Sequence, residues 1–276
     1  MSCQMPVASA QVKSCVLLAG LFAEGMTTVI EPGPARDHTE RMLRAMGADI
    51  HVNGSHITIA PGASLSSLDL SIPGDISSAA FLLVAGALAP DGRLCVQNAG
   101  MNPTRTGILD ALAAMGMSIQ VSNSRVTGGE PAADLSVEQT LLSGVKIGGD
   151  LVVRMIDEFP AFMVAATQAR GGTIVTEARE LRVKETDRIA VMVGELRKMG
   201  AVIDERADGF ALTGPQVLRG ARVNGWGDHR VAMSLVIAGL CADGETIVED
   251  AHCVADSFPG FVKTLRALGA HVEWTA

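Results

Sequence analysis

Apolar residues recur along the chain in blocks of two kinds. The first is the run Leu-x-x-Met-Gly or Leu-x-x-Leu-Gly followed by further apolar residues, at Leu43 to Ile50, Leu112 to Ile119, Leu196 to Ile203 and Leu265 to Val272. Each reads as the last turn of a helix that stops at glycine. Gly47, Gly116, Gly200 and Gly269 suit the left-handed position past a helix end, where the missing Cβ removes a steric cost, and an apolar strand is predicted after each. These glycines are 69, 84 and 69 residues apart, so the chain is internally repeated.

The second kind is nearly unbroken apolar sequence behind a polar start: Ser9 to Ala23, Asp75 to Ala89, Met155 to Ala169 and Asp228 to Ala242. A helix without a wet face must be buried, so all four are predicted to form internal layers. Short strands are predicted after them at Thr27 to Ile30, Arg93 to Val96, Thr173 to Thr176 and Glu245 to Glu249, with further strands at His56 to Ala60 and Gly209 to Thr213. Repeated helix-strand units of this kind predict an α/β fold with mixed sheets around buried helices. The unequal spacing argues against a solenoid, whose stacked units keep their period. A boundary falls near residue 73, where Leu68 to Ile72 reads as a strand running into Pro73 and Gly74, dividing 1–73 from 74–276.

With 276 residues and 48% hydrophobic content, the chain can fill a sizeable core. Its formal charge of -8 speaks against a nucleic-acid binder, which spreads basic side chains along the phosphate backbone. Apolar runs such as Val16 to Ala23 stop short of the roughly 20 residues that cross a bilayer, so no membrane span is expected. Met1 precedes Ser-Cys-Gln-Met-Pro rather than a basic segment leading into an apolar one. A signal peptide is therefore not expected, and the cytoplasm is the expected compartment. Cys3, Cys15, Cys95, Cys241 and Cys253 make an odd count without a C-x-x-C pair, which favours reduced thiols, packed as small apolar groups, over disulfides or structural zinc.

Charged residues gather where the helices are predicted to begin. Free backbone N–H groups and the helix dipole favour an anion there, and a nearby lysine or arginine adds full charge to the partial one. Some of these residues have a plain structural reading. Asp75, Ser77 and Ser78 suit capping, Asp37 with Glu40 suits a capping box, and Asn102 before Pro103 suits an N-cap with proline at the first helical position. Arg105 reads either as a solvated side chain or as a brace between the domains. Asp157 and Arg230 are harder to explain by capping, because charges opening apolar helices are costly to bury unless paired or bound. The run Arg182 to Arg188 reads either as a solvated face or as part of a site. Glu185 and Arg188, three apart, would share one side of a helix beginning there.

Taken in order, Ser9-Ala-Gln-Val-Lys-Ser14, Arg36-Asp-His-Thr-Glu-Arg-Met-Leu43, Asp75-Ile-Ser-Ser-Ala-Ala80, Asn102-Pro-Thr-Arg-Thr-Gly107, Asp157-Glu158, Leu181-Arg-Val-Lys-Glu-Thr-Asp-Arg188, Asp228-His-Arg230 and Ser257-Phe-Pro259 resemble the enolpyruvyl transferases. Within them the chain is similar to the 5-enolpyruvylshikimate-3-phosphate synthases. The Ser-Ala-Gln and Arg-Asp-His-Thr forms are similar to the bacterial class noted for glyphosate tolerance. The resemblance implies an inside-out α/β barrel type of fold in two domains of three repeats each, which close on the substrates between them. It implies that four of the six repeats are present: the last repeat of the shikimate-3-phosphate-binding domain at 1–73 and the second domain of three repeats at 74–276.

By the same resemblance, Ser9, Ala10, Gln11, Arg36, Asp157 and Lys184 match positions that bind shikimate 3-phosphate, with Gln11 also reaching toward phosphoenolpyruvate. Glu185, Arg188 and Arg230 match positions around phosphoenolpyruvate. Asp256 departs from the lysine some members carry near the phosphate. The implied reaction is addition and elimination without metal or organic cofactor. Asp157 takes the hydroxyl proton and Glu185 handles the carbon proton. The implied partners are the two small-molecule substrates and an N-terminal partner chain that carries the two absent repeats. Two rival readings are the sister transferase acting on UDP-N-acetylglucosamine and a non-catalytic anion-binding module or split-enzyme half.

Overall fold

The structure, a computed structural model, describes residues 1–275. The first part of the chain holds β1 (Ser2–Gln4), α1 (Ala10–Gly20), β2 (Thr27–Ile30), α2 (His38–Ala45), β3 (Ile50–Asn53) and β4 (His56–Ile59). Its strands form one sheet in the order β1-β2-β4-β3, in which β1 runs parallel to β2 and the other pairs are antiparallel. A small core of Met5, Leu17, Leu21, Val29, Leu43, Ile50, Ile57 and Ile59 lies against that sheet.

After an irregular stretch come α3 (Ile76–Leu88), β5 (Arg93–Gly100), α4 (Gly107–Ala114), β6 (Ile119–Thr127) and β7 (Glu130–Glu138). β5, β7 and β6 make an antiparallel sheet in that order. Next are β8 (Lys146–Ile147), α5 (Asp150–Arg154), α6 (Phe159–Gln168), β9 (Gly171–Val175), a 3-10 turn at Arg179–Val183, α7 (Arg188–Lys198), β10 (Ile203–Arg206) and β11 (Gly209–Gly214), with sheet order β10-β11-β9-β8. The last elements are β12 (Arg222–Asn224), α8 (His229–Leu240), β13 (Ile247–Glu249), α9 (Val254–Ser257) and α10 (Phe261–Ala267), with β12 and β13 paired in parallel. The fold is thus mixed α/β.

Helices α3, α6 and α8 pack on one another and are buried along their length, as their apolar sequences predict. Phe81, Phe159 and Phe162 are each at most 1% exposed, and burying such a side chain contributes about 1.5–3 kcal/mol. One continuous core runs from Ile76 to Leu265. Gly47, Gly116, Gly200 and Gly269 adopt φ of +95°, +93°, +92° and +96°, the left-handed helix ends expected of them.

Several expectations are corrected. Helix α1 is not internal: Val12, Leu18 and Phe22, which follows the helix, are 43%, 48% and 90% exposed, because no second buried helix packs on it among the described residues as α6 and α8 pack on α3. Leu68 to Gly74 is not a strand, and only Gly74 makes a bridge, to Ala99. No strand follows Gly269 within the described residues. The helix after Asn102 begins at Gly107, and Asn102 instead closes a tight turn by accepting from the Thr104 N–H at 2.9 Å. Asp37 makes no capping bond; it pairs with Arg41, and Glu40 pairs with Lys13. The expected packing of the cysteines as small apolar groups holds for Cys253, which is buried, and not for Cys15 and Cys95, which are exposed. No helix among the described residues is long and apolar enough to cross a membrane.

Candidate active site

Three helix starts meet at one carboxylate. Asp157 lies in the turn just ahead of α6, Arg188 opens α7, and Arg230 sits in the first turn of α8. Local sequence sets these starts. Asp187 caps α7 by accepting from the Ala190 N–H at 3.0 Å, and Asp228 caps α8 by accepting from the Arg230 N–H at 2.9 Å. Asp228 also holds the Arg188 guanidinium, at 2.8 Å from Nε to Oδ2, with both side chains buried. Arg188 then reaches Glu185 Oε2 at 2.6 Å and Asp157 Oδ1 at 3.4 Å, and Arg230 Nη2 comes to 3.5 Å from Asp157 Oδ2.

The fourth member comes from the first part of the chain. Arg36, in the loop before α2, donates to Asp157 Oδ2 at 2.5 Å. Neighbouring contacts reinforce this junction: Asn102 donates to Asp37 at 2.7 Å, His38 Nδ1 lies 2.7 Å from Glu130 Oε1, and Arg41 donates to the Gly129 carbonyl at 3.2 Å. Burial by itself would raise the Asp157 pKa. The charges of Arg230, Arg36 and Arg188 outweigh it and hold the carboxyl well below the ordinary carboxylate range. Asp157 is therefore an ionised acceptor enclosed by guanidinium groups.

The remaining sequence-derived candidates are placed differently. Ser9 caps α1 by accepting from the Val12 N–H at 3.3 Å, Ala10 is the first helical residue, and Gln11 is exposed and accepts from Ser9 Oγ at 3.3 Å. None of the three hydrogen-bonds to the arginine cluster among the described residues. Their link to it is Lys13, one turn along the helix, whose Nζ donates at 3.5 Å to the carbonyl of Ala35, the residue before Arg36. Lys184 stands apart from the cluster, bonded to Glu180. Arg182 is structural, held by Asp187, Glu205 and two carbonyls of the 206–207 turn. The segment 182–188 therefore divides between scaffold and site, and Glu185 approaches Arg188 from outside α7.

Residues that sequence reasoning did not assign complete the surroundings. Asp228 holds the Arg188 side chain and caps the helix that carries Arg230, and its signal was present in a charged residue opening an apolar helix. Glu158, beside Asp157, is buried and accepts from Ser77. Arg105 is neither solvated nor a brace between the two parts, since it donates to Asp75 at 2.8 Å and to Ser77 at 2.7 Å. Nothing local in the sequence pairs residues 77 and 158. His229 is held below its ordinary value by burial and by the charge of Arg230, which keeps a further positive charge out of the cluster near neutral pH.

Fold and site together define an α/β protein in which arginines near helix starts gather around one carboxylate. The chain belongs to the EPSP synthase (3-phosphoshikimate 1-carboxyvinyltransferase) family, which it matches over residues 1–265. It is 54% identical over 265 residues to the 3-phosphoshikimate 1-carboxyvinyltransferase of Synechococcus elongatus, covering 95% of this chain and 59% of that protein. The enzyme of the same name from Geobacter sulfurreducens is 53% identical over 260 residues, covering 94% and 61%. Among solved structures, an EPSP synthase from Acinetobacter baumannii superposes with a TM-score of 0.95 at 42% identity, covering 99% of this chain and 63% of that one. The enolpyruvyl transferase NikO from Streptomyces tendae, at 23% identity and a TM-score of 0.78, shares the fold. The chain thus spans about three-fifths of the length of these relatives.

Proposed function

We propose that this chain carries the larger share of an enolpyruvyl transferase. The reaction moves the enolpyruvyl group of phosphoenolpyruvate to the 5-hydroxyl of shikimate 3-phosphate and releases phosphate. The remaining two-fifths found in the relatives would complete the site, in the same polypeptide or in a separate one. The observation that carries this reading is the placement of Arg36, Arg188 and Arg230 around Asp157, which joins both parts of the chain at one anion-binding point. Family membership favours the shikimate enzyme over the UDP-N-acetylglucosamine transferase.

In this reading Arg188 and Arg230 hold the carboxylate and phosphate of phosphoenolpyruvate through forked donors, in exchange for part of their internal pairing. Ser9, Ala10, Gln11, Arg36, Asp157 and Lys184 hold shikimate 3-phosphate, with Gln11 also facing phosphoenolpyruvate. Lys184 exchanges Glu180 for the ligand. The substrate 5-oxygen bonds to C2 of phosphoenolpyruvate as Asp157 takes the hydroxyl proton, and C3 gains a proton from Glu185. The reverse proton transfer from C3 to Glu185 then restores the double bond as the C2–O bond to phosphate breaks, and the departing phosphate takes the proton held by Asp157. Asp157 is ionised, as a proton acceptor must be, and it becomes a stronger base as the substrate anions draw the arginines away from it. The exposed Glu185 carboxyl needs the completed site to shield it before it can hold a proton.

The proposed architecture is four of six repeats of an inside-out α/β barrel type, with one repeat at 1–73 and three at 74–276. Support comes from the two separate apolar cores and the four matching helix-end glycines. A partner piece supplying the other repeats would cover the exposed apolar side of α1. A cytoplasmic location is proposed, with support from the odd cysteine count without a C-x-x-C pair.

A phosphate-release assay on this chain, with and without a separately produced N-terminal segment from a relative, tests the reading. Turnover that needs both pieces is expected. Strong turnover by this chain alone would overturn the shared-site element. Phosphate binding without turnover in any combination would leave a non-catalytic anion-binding module.

A further inference from the structure

Behind Asp157 lies a second buried chain of polar groups that the proposed reaction does not use. Glu158 flanks the start of α6 and is 1% exposed, yet its side chain makes no capping bond to that helix. It accepts instead from Ser77 Oγ in the first turn of α3, where Ser77 is also 1% exposed. Ser77 Oγ in turn accepts from Arg105 Nη2 at 2.7 Å, and the same nitrogen donates to Asp75 Oδ1 at 2.8 Å. Helix capping needs only a short polar side chain. A long acid reaching across to another helix is therefore explained by what it ties together: the starts of α3 and α6 and the turn ahead of α4.

We propose that Glu158 is a positioning residue: clamped to Ser77 and through it to Arg105, it fixes the turn carrying Asp157 and sets the charge behind the arginine cluster. The proposal rests on the reading of that cluster as a site for phosphorylated anions. The charged groups facing Glu158 are Asp157 on its own turn, Arg230 from α8 and Arg105 from the turn ahead of α4. From α3 it meets the uncharged Ser77, with Asp75 bound to the same nitrogen of Arg105. Arg188, at the start of α7, is engaged by Asp157 and Asp228.

Burial pushes Glu158 up to about 7, against its Ser77 bond and the charges of Arg230 and Arg105, with the charge of Asp157 adding to the rise. Near neutral pH its protonation is thus finely balanced. A dianion arriving at Arg230 and Arg188 favours the neutral acid, because like charge disfavours ionisation. By reciprocity, anion affinity falls as Glu158 loses its proton.

The test uses the full chain. Carboxyl-carbon NMR follows Asp157 and Glu158 from about pH 5 to about pH 9, with Glu158→Gln and Asp157→Asn for assignment. Phosphoenolpyruvate binding is measured by calorimetry, with the complementing N-terminal segment present, in two buffers of different ionisation enthalpy. The Asp157 signal is expected to shift with a midpoint at about 7, and to lose that shift in Glu158→Gln. Binding should take up protons near neutral pH and weaken roughly three- to tenfold more than in Glu158→Gln across the same range. Ser77→Ala, which removes the clamp but keeps the acid, should weaken binding at every pH. An Asp157 signal without that inflection, together with affinities unchanged in Ser77→Ala and Glu158→Gln, overturns the proposal even when phosphoenolpyruvate binds well. If the inflection is present and phosphoenolpyruvate does not bind, the anion assignment fails and the clamp stands.

Discussion

Arg188 and Asp228 form an ion pair out of contact with water: Nε lies 2.8 Å from Oδ2, and the side chains are 1% and 0% exposed. The other oxygen, Oδ1, accepts the backbone N–H of Arg230 at 2.9 Å, so one acid holds the Arg188 side chain and caps the helix that carries Arg230. Burial raises the Asp228 pKa, and the hydrogen bond and charge of Arg188 outweigh that effect and keep the acid ionised. Asp228→Asn preserves shape but leaves a buried guanidinium short of its counter-charge. The expected cost is about 3–5 kcal/mol in urea unfolding. A loss below about 1 kcal/mol, the range of exposed pairs, would mean that Arg188 is solvated or paired elsewhere.

Arg36 is a different kind of contact. Its side chain is 31% exposed and its bond to Asp157 joins the two parts of the chain. Arg36→Ala should therefore cost less than about 1 kcal/mol of stability, but about 2 kcal/mol, or roughly 30-fold, in affinity for shikimate 3-phosphate once the site is complete. Arg36→Lys should recover only part of the loss, since a point charge cannot reproduce the forked donor. Titration calorimetry of the variants with the complementing segment measures both effects. Affinity within twofold of the parent would reduce Arg36 to a brace.

How much of this was legible in the sequence depended on the range of the interaction. Gly47, Gly116, Gly200 and Gly269 ended helices as read, because a left-handed helix end is a local requirement. Asp157 and Arg230 could be singled out because a charge opening an apolar helix conflicts with burial unless something pairs with it. The exposure of α1 was misread, since an apolar run shows that a face needs a partner and not whether one is present. The bond from Ser77 to Glu158 spans 81 residues and has no local signature. Lys184 has Glu180 four residues before it, and a nearby carboxylate competes with a ligand in a way that charge pattern alone does not resolve. Long β6 and β7 pass through polar stretches such as Ser122 to Arg125, so their hairpin was not seen as alternation.

Lys13 carries a further test. It is 1% exposed and lies 2.6 Å from Glu40 and 2.9 Å from Glu31, tying α1 to α2 and to the loop after β2. Lys13→Met leaves two acids facing apolar surroundings, and about 3–5 kcal/mol of destabilisation is expected in thermal or urea unfolding. The triple variant Lys13→Met, Glu31→Leu, Glu40→Leu should regain most of that stability, because well-packed apolar groups replace a buried ionic cluster at little cost. A triple variant no more stable than the single one would show that the triad's geometry, rather than its charge balance, holds α1 in place.

The pH dependence of stability separates the two adjacent acids of the α6 turn. Asp157 is depressed below its ordinary 3.8, so its contribution is present above that value and is lost as pH falls through the lower folded pKa. Glu158 behaves oppositely. Its folded pKa is raised from 4.5 to about 7, so across that interval the folded chain keeps a proton that the unfolded chain has released. Stability from Glu158 is therefore full below 4.5, declines as pH rises toward 7 and is gone above it, a change on the order of 3 kcal/mol. Other groups titrate in the same range, His229 among them with the reverse slope. The informative measurement is thus the difference between parent and Glu158→Gln in urea unfolding at a series of pH values, which cancels everything the two share. That difference should change steadily through the interval and be flat on either side. A difference with no slope would mean that Glu158 stays ionised in the folded chain, its charge met by Arg230 and Arg105 rather than by a proton.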